Sequence, residues 1–336
     1  MTIGNFDGVH LGHQHIVRRA GEIAQEHDVV VKVVTFDPHP ATVLRPGSAP
    51  PRLTVLDEKI RLLKESGADD VVVLSPTAEQ LAMSPQAFVE MLVRDHSPQV
   101  FVEGEDFRYG KDRAGDLKSL RAQGETCGFA VDTVEAVEIA LSDHLIASVR
   151  SSLIRWLISH GRVADASICM GRLFSLVGPV VQGEQRGRTI GVPTANVGIC
   201  DELHVPGNGV YAGIALTPEG NEHAAAISVG IKPTFKSNDN QIASKSAVAS
   251  ATNQRPNCME QSAQAIEAHL LDFDDDLYGQ SLTLRFVRWI RDQQKFPEID
   301  ALQAQLARDV AQVRALSQDP NFATPAVAPQ PIARFE

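Results

Sequence analysis

Runs of apolar, β-branched residues alternate with amphipathic segments through the first half of the chain. The runs lie at residues 29–36, 71–74 and 100–102, and such nearly continuous apolar character is typical of strands buried on both faces. A capping-box-like Thr54–Asp57 and the pair Ser84-Pro85 mark the starts of two intervening helices. Strands that alternate with helices predict βαβ units, so we expect an α/β domain with a parallel sheet.

The pattern changes near Gly161. From Gly171 to about Val287, short apolar runs are separated by Gly, Pro, Asn and Asp, which predicts an all-β barrel or sandwich. A terminal helix is predicted after Pro297, because apolar residues then recur at steps of three and four. This stripe consists of Ile299, Leu302, Leu306, Val310 and Val313.

The same pattern predicts two domains, at residues 1–158 and 163–316. The segment 236–264 is rich in Ser, Ala, Asn and Gln, so we expect a flexible insertion there. The Pro- and Ala-rich residues 317–336 predict a disordered tail. In the first domain, only Met1–Ile3 precede the first glycine, so we expect a truncated first strand.

Composition and charge narrow the possible functions. The 336 residues carry a formal net charge of −11, which argues against a nucleic-acid partner. The four cysteines are widely spaced and form no C-x-x-C, so we expect reduced thiols. The sequence contains neither an apolar stretch of about 18 residues nor a charged-then-apolar leader. We therefore expect a cytoplasmic protein with no membrane partner.

The segment Gly4–His13 reads G-N-F-D-G-V-H-L-G-H and precedes a predicted helix. Glycines let backbone N–H groups approach phosphate oxygens, and a helix N-terminus favours negative charge. His10 and His13 are three residues apart, so both imidazoles point to one side of the first turn. The segment predicts a nucleotide triphosphate site at the carboxyl ends of the strands. The alternative is a tight turn with two surface histidines.

This pattern is similar to that of the H-x-G-H nucleotidyltransferases. Together with Thr35–Pro40, Gly104–Gly110 and Val149–Arg155, it resembles the first half of the prokaryotic bifunctional riboflavin kinase/FMN adenylyltransferases, or FAD synthetases. The resemblance implies a Rossmann-like domain in which a phosphate oxygen of FMN attacks the α-phosphorus of ATP and pyrophosphate leaves.

The resemblance also assigns site residues in this half. His10, His13 and Arg155 are the catalytic candidates, since guanidinium and imidazole groups can bind phosphates. The ATP-binding candidates are Gly4, Phe6, Asp7, Gly8, Gly12, Ser151 and Ser152. The flavin-binding candidates are Asp106, Phe107 and Tyr109. The alternatives are a solvated helix charge for Arg155, a turn residue for Asp106 and core packing for the two aromatic residues.

A second motif occupies Gly178–Asn196, where four glycines and two arginines lead into Pro-Thr-Ala-Asn. On an extended segment Thr194 and Asn196 point to the same side, and their oxygens suit Mg²⁺ shared with ATP phosphates. The whole pattern resembles the riboflavin kinase motif; the alternative is a glycine-rich hairpin with a polar edge. The ATP-binding candidates here are Gly178, Gly183, Arg186, Gly187, Gly191, Thr194 and Asn196.

The resemblance continues through Ala265–Phe273, where the kinase family carries a catalytic glutamate. It implies that Glu267 accepts the proton of the riboflavin 5′-hydroxyl; the alternative is a solvent-facing strand glutamate. Arg291 and Phe296 lie in the stretch that closes over the flavin in this family, so they are further flavin-binding candidates. The acidic residues Asp274–Asp276 are interpreted as a turn.

The function implied is synthesis of FMN from riboflavin and of FAD from FMN. Mg²⁺ is the expected cofactor, ATP the co-substrate, and riboflavin and FMN the small-molecule partners. Two alternatives remain. A riboflavin kinase with an impaired adenylyltransferase half is favoured by the short first strand. A flavin-binding regulatory protein without turnover is opposed by the set Thr194, Asn196 and Glu267.

Overall fold

The computed structural model describes residues 1–183, 192–231 and 264–325. Within them the chain forms two compact units. The first comprises Met1–Leu157 and Asp165–Arg172, and the second comprises Ile158–Ala164 and Leu173–Thr324. The chain thus enters the second unit, returns to the first for eight residues and leaves it again, which differs from the single boundary that the sequence predicts.

Hydrogen bonds explain why residues 165–172 belong to the first unit. The Asp165 carboxylate accepts from the backbone N–H of Ser142 at 2.7 Å and from its hydroxyl at 3.1 Å. The side-chain amide of Gln14 donates to the Met170 carbonyl at 2.9 Å. These bonds pair buried polar groups. The periodicity of apolar residues does not indicate such pairings, so it could not predict that residues 165–172 return to the first unit.

The first unit alternates strands and helices, as predicted. Its strands are β1 (Thr2–Ile3), β2 (Lys32–Phe36), β3 (Asp70–Leu74), β4 (Val100–Gly104), β5 (Ala130–Val134), β6 (Glu138–Ala140) and β7 (Ile146–Ser148). The helices up to residue 170 are α1 (Leu11–His27), α2 (Pro40–Leu44), α3 (Leu56–Glu65), α4 (Ala78–Leu81), α5 (Pro85–His96), α6 (Leu117–Cys127), α7 (Ser151–Ser159) and α8 (Val163–Met170), with a 3₁₀ turn at Lys111–Arg113.

The two-residue strand β1 lies at the centre of the parallel sheet. It pairs in parallel with β2, which pairs with β3, while β4 pairs with β5. On one side the Gly4 N–H donates to the Val34 carbonyl at 3.0 Å, and on the other the Val102 N–H donates to the Met1 carbonyl at 2.9 Å. The strand order is therefore β3, β2, β1, β4, β5, which is the Rossmann-like arrangement that the resemblance implies.

Helices cover both faces of this sheet. Val33 and Val34 are both fully buried, yet they belong to different core clusters, because successive strand residues point to opposite faces. Val33 packs with Val17 and Leu63, whereas Val34 packs with residues of α5 and α6. The predicted strand at 29–36 is shorter than expected, since β2 begins at Lys32 and Val30 is 65% exposed.

The second unit is a closed antiparallel barrel followed by a helix, which confirms the predicted fold class. Its strands are β8 (Phe174–Val181), β9 (Ala195–Val197), β10 (Gly209–Leu216), β11 (Glu222–Ile231), β12 (Gln264–Leu270) and β13 (Ser281–Arg291). Their order around the barrel is β10, β11, β12, β9, β8, β13. Three aromatic rings fill the barrel interior. The centroid of the Phe286 ring lies 5.4 Å from that of Tyr211 and 5.8 Å from that of Phe174.

The terminal helix α9 (Ile299–Ser317) packs through only part of its predicted stripe. Val313 is buried against Ala212 and Leu271, but Ile299, the first member, is 65% exposed. Beyond the helix, Phe322 packs against the same cluster, so the packed part of the chain continues past the predicted domain limit of 316. The rest of the predicted tail, 326–336, lies outside the described residues, as does the predicted insertion apart from Gln264.

An ion pair fastens α9 to β13. The Arg291 guanidinium donates to Asp309 from Nε at 2.9 Å and from Nη2 at 2.6 Å, and Gln305 also donates to this carboxylate at 2.9 Å. The Asp309 side chain is only 3% exposed. Removing one member of such a pair leaves an uncompensated buried charge, which is strongly destabilising.

We expect Asp309→Asn to lower the unfolding free energy of the second unit by about 3 kcal/mol. Hydrogen exchange of the α9 amides, measured against urea concentration, reports this loss. Asp272→Asn is the matched control, because it breaks the Arg314–Asp272 pair whose side chains are 49% and 71% exposed. Equal destabilisation by both variants would contradict the assigned role of Asp309.

Candidate active site

A cleft of about 1350 Å³ opens at the carboxyl ends of the parallel strands in the first unit. The last residues of the strands, or their immediate successors, line it: Ile3, Gly4, Phe36, Leu74, Gly104 and Val134. Single-ligand pockets usually span about 300–1,000 Å³, so the cleft has room for two substrates. Ligands of open α/β sheets bind at this edge.

The predicted histidines lie at the start of α1. His10 caps the helix, and its Nδ1 accepts from the His13 backbone N–H at 3.4 Å. The two imidazole rings stack with centroids 3.6 Å apart, and both line the cleft. The buried Nδ1 of His13 has no hydrogen-bond partner among the described residues. The Phe6 ring is buried and meets His13 edge-on at 5.1 Å.

Both imidazoles are neutral near pH 7. Burial is the main cause that lowers the pKa of His10 to about 3, and the positive charges of Arg172 and Arg155 add to it. Burial is also the main cause that lowers the pKa of His13, and the positive charges of Lys59 and Arg172 add to it. The positive charge that acts on the two histidines therefore comes from the neighbouring Arg172, Arg155 and Lys59.

Arg155 and Asp7 form an ion pair with each other. The Asp7 carboxylate accepts from Arg155 Nη2 and from the backbone N–H of Leu53 at 3.0 Å, while Arg155 Nε donates to the Pro51 carbonyl at 2.7 Å. Neither side chain is among the described residues that line the cleft. The structure therefore places Arg155 beside the loop and not on the cleft wall.

The remaining ATP candidates of this unit surround the same loop. Gly4 belongs to the sheet edge through its bond to Val34, and Gly12 lies in the first turn of α1 against the His10 ring. Ser151 Oγ donates to the Asp7 carbonyl at 3.0 Å, and Ser152 is exposed on the cleft wall.

Two basic residues that sequence reasoning missed support the loop. Lys59 is 6% exposed, and its Nζ donates to the carbonyls of Asn5 at 3.3 Å and Phe36 at 2.9 Å. Arg172 donates to the carbonyls of Gly8 and Val9. Lys59 could have been found, since it stands three and four residues before Leu62 and Leu63 on the apolar face of α3. No sequence signal identifies Arg172.

The flavin candidates of the first unit differ in exposure. Asp106 is exposed, and its carboxylate lies 4.0 Å from the Arg150 guanidinium. The half-buried Phe107 lines the cleft, and its ring stacks on Tyr109 at 5.3 Å. Tyr109 is 5% exposed, and its hydroxyl lies 3.2 Å from that of Ser119, so it supports Phe107 from the core.

In the second unit, Asn196 and Glu267 stand directly opposite each other on β9 and β12. Ile266, Ala268 and Leu270 are buried, so the alternating residue Glu267 lies on the outer face of the barrel. Residues opposite one another on one face have Cβ atoms about 5 Å apart. The structure therefore brings these two candidates together.

Neighbouring residues hold the Thr194–Asn196 segment in place. The His269 Nδ1 lies 2.7 Å from the Pro193 carbonyl, and because a carbonyl only accepts, the imidazole donates. A Cβ on Gly183 would lie 2.1 Å from the Asn196 side-chain nitrogen, so a larger residue there would displace the Asn196 amide. Gly178 lies within β8, opposite Leu282 of β13. Three ATP candidates, Arg186, Gly187 and Gly191, lie outside the described residues.

The two flavin candidates of the second unit lie beside α9. The Arg291 guanidinium is paired with Asp309, and its Cζ lies 6.0 Å from the centroid of the Phe296 ring. The sequence does not indicate this pairing. Asp309 lies in the middle of α9, next to the apolar stripe, where an acidic residue is expected to face solvent.

Among the described residues, no cluster of three or more His, Cys, Asp and Glu side chains could hold a metal ion. The predicted Mg²⁺ ligands, Thr194 and Asn196, are not among these four residue types. A separate search of the described helices found none that is long and apolar enough to cross a membrane.

The two halves of the chain match two family models. Residues 1–149 match FAD synthetase, and residues 170–317 match riboflavin kinase. Over the whole length, the chain is similar to a crystal structure described as a macrolide-efflux protein from Streptococcus pneumoniae. The TM-score is 0.78, the identity is 27%, and the match covers 93% of each chain.

Two curated relatives carry the name bifunctional riboflavin kinase/FMN adenylyltransferase. The Listeria monocytogenes protein is 33% identical over 317 residues, which are 94% of this chain and 91% of the relative. The Escherichia coli K12 protein is 33% identical over 312 residues, which are 92% and 90% of the two chains. The chain belongs to the bifunctional riboflavin kinase/FMN adenylyltransferase family.

Proposed function

We propose that the two units catalyse consecutive steps of flavin cofactor synthesis. The second unit transfers the γ-phosphoryl group of ATP to the riboflavin 5′-hydroxyl, which gives FMN and ADP. The first unit transfers the adenylyl group of a second ATP to the FMN phosphate, which gives FAD and pyrophosphate. One observation carries the proposal: each unit has its own group of polar side chains suited to its reaction. His10 and His13 line the cleft of the first unit, and Glu267 stands opposite Asn196 on the barrel of the second.

In the adenylyl-transfer step, charge develops on the α-phosphoryl oxygens and on the leaving pyrophosphate. His10, His13 and the first amides of α1 supply preorganised donors for these oxygens. The neutral imidazoles bind through N–H groups, and a bound polyphosphate raises their pKa because its negative charge favours imidazolium.

Arg155 is proposed to contact the leaving phosphates by turning away from Asp7. Its guanidinium is already held close to the loop, and a polyphosphate carries more negative charge than one carboxylate. Ser151 and Ser152 stand at the N-terminus of α7, where a phosphate is favoured. At the other end of the cleft, FMN is proposed to place its ring against Phe107, with Tyr109 behind it and Asp106 near the reacting phosphate.

In the kinase step, Glu267 is proposed to accept the proton of the 5′-hydroxyl as the phosphoryl group arrives. The Thr194 hydroxyl and the Asn196 amide oxygen fit Mg²⁺, which prefers hard oxygen ligands. When bound, Mg²⁺ neutralises charge on the ATP phosphates. The segment proposed to bind the ATP phosphates contains Gly178 and Gly183, together with Arg186, Gly187 and Gly191, which lie outside the described residues. The proposed flavin contacts are Arg291 and Phe296.

Two alternatives are less well supported. A kinase with an impaired first half was suggested by the short first strand, but β1 is hydrogen-bonded on both sides. A regulatory protein without turnover needs no base beside a metal-binding pair. The cytoplasm is the proposed location, because the four cysteines of the sequence are widely spaced and form no C-x-x-C, which is typical of reduced thiols.

His10→Ala is expected to reduce FAD formation from FMN and ATP by at least about a hundredfold, since one preorganised donor to a developing charge is lost. FMN formation from riboflavin should stay at the wild-type rate. Chromatography of the flavin products measures both. His15→Ala is the matched control on the exposed side of α1 and should change neither rate. Equal loss of both activities in His10→Ala would contradict the division of labour.

Glu267→Gln is expected to slow FMN formation by about 10²–10⁴-fold, because the amide cannot accept the hydroxyl proton. FAD formation from added FMN should be unaffected. Glu222→Gln is the control, since Glu222 is also a barrel-strand glutamate but pairs with Arg285 at 2.6 Å. A wild-type rate of riboflavin phosphorylation in Glu267→Gln would refute the assigned base.

A further inference from the structure

Apart from Phe6, the residues of the loop Asn5–Val9 have carbonyls that accept hydrogen bonds from other elements. The Asn5 carbonyl accepts from Thr35 Oγ1 at 3.1 Å as well as from Lys59, and the Asp7 carbonyl accepts from Ser151. The Phe6 carbonyl accepts from the Val9 N–H at 3.1 Å. With its carbonyls occupied in this way, the peptide units of the loop have fixed orientations.

Arg172 supports the last part of this loop. Its Nη2 donates to the Gly8 carbonyl at 2.7 Å, and its Nη1 donates to the carbonyls of Val9 at 3.2 Å and Met170 at 3.4 Å. The guanidinium is partly buried and donates only to carbonyls in the described part of the chain. These hydrogen-bond acceptors are neutral, and the acidic side chains that act on the Arg172 charge are Glu58 and Glu65 of α3.

The backbone between the two main contacts of Arg172 is strained. Val9 has φ +36°, a left-handed conformation that β-branched residues rarely adopt, and Gly8 before it has φ +82°. Such conformations persist only where the surroundings over-determine them. Arg172 donates to the carbonyls of Gly8 and Val9, the two residues immediately before His10. It therefore helps to set the direction of the His10 imidazole and of the first amides of α1.

We propose that Arg172 is a positioning residue for adenylyl transfer: it holds the Gly8-Val9 turn so that His10 and the α1 amides face the ATP phosphates, and it places a fixed positive charge behind them. This rests on the proposed adenylyl transfer. Arg172 contacts the loop carbonyls and not the cleft, since it is absent from the described lining residues. Its effect therefore reaches ATP through the loop.

The test compares Arg172→Met and Arg172→Lys with the wild-type chain and with Arg94→Met, which changes an exposed arginine paired with Asp95. Initial rates of FAD formation at varied ATP give kcat/KM. We expect at least a tenfold fall in Arg172→Met, partial recovery in Arg172→Lys, and no change in Arg94→Met. FMN formation by the second unit should be unchanged in every variant.

A second readout separates positioning from general destabilisation. In an NMR titration the His10 pKa, lowered to about 3 in the wild type, should rise in Arg172→Met, because a neighbouring positive charge is gone. Arg172 itself stays charged at neutral pH, since burial lowers its pKa only to about 10. An Arg172→Lys protein with a lowered kcat/KM and a wild-type circular dichroism spectrum would also support positioning.

The outcomes distinguish the inference from the proposed function. If the wild type forms FAD and both Arg172 variants keep kcat/KM for ATP within twofold, the inference is overturned and the proposed function stands. If the wild type forms no FAD from FMN and ATP, both are overturned. If Arg172→Met does not fold, Arg172→Lys decides between the same outcomes.

Discussion

The adenylyltransferase half depends on hydrogen bonds that hold one short loop by its carbonyls. Phe6 and Val9 both have positive φ angles, which the loop could not keep in isolation. Lys59, Thr35, Ser151 and Arg172 donate to its carbonyls from elements that are far apart in sequence. Burial keeps the histidines of the loop neutral, and the cations that hold the loop add to this effect.

The kinase half depends on a different constraint, the register between two barrel strands. Antiparallel pairing sets Asn196 opposite Glu267, and a one-residue slip would turn Glu267 into the barrel interior. The buried residues Ile266 and Ala268 fix that register, because they must face the core. Apolar packing inside the barrel thereby determines which polar groups meet on its outer face.

Periodicity and motifs were sufficient for much of this description. The β-branched run around Val33 predicted a strand buried on both faces, and Ser84 caps α5 as expected. The role of Thr54, however, could not be predicted from the sequence pattern. Its sequence context suggests a helix cap, but α3 has no side-chain cap, and the Thr54 hydroxyl accepts from the Gly8 N–H at 3.3 Å. Local patterns do not distinguish a capping hydroxyl from one that a distant loop recruits.

Long-range partners account for the other differences. Residues 165–172 rejoin the first unit through hydrogen bonds to segments more than twenty residues away, and Arg291 pairs with Asp309 across the barrel and α9. Neither has a signature in spacing or composition, because ion pairs and buried donors are set by tertiary approach. The site motifs themselves were recognisable, whereas the residues that support them were not.

We infer that one chain carries two separate flavin sites that act in sequence. The most direct measurement is a time course of riboflavin with MgATP and the wild-type chain, in which flavins, ADP and pyrophosphate are all quantified. We expect FMN to appear first and then to be consumed, with one ADP and one pyrophosphate released for each FAD formed. Accumulation of FMN with no FAD and no pyrophosphate, or no product at all, would contradict it.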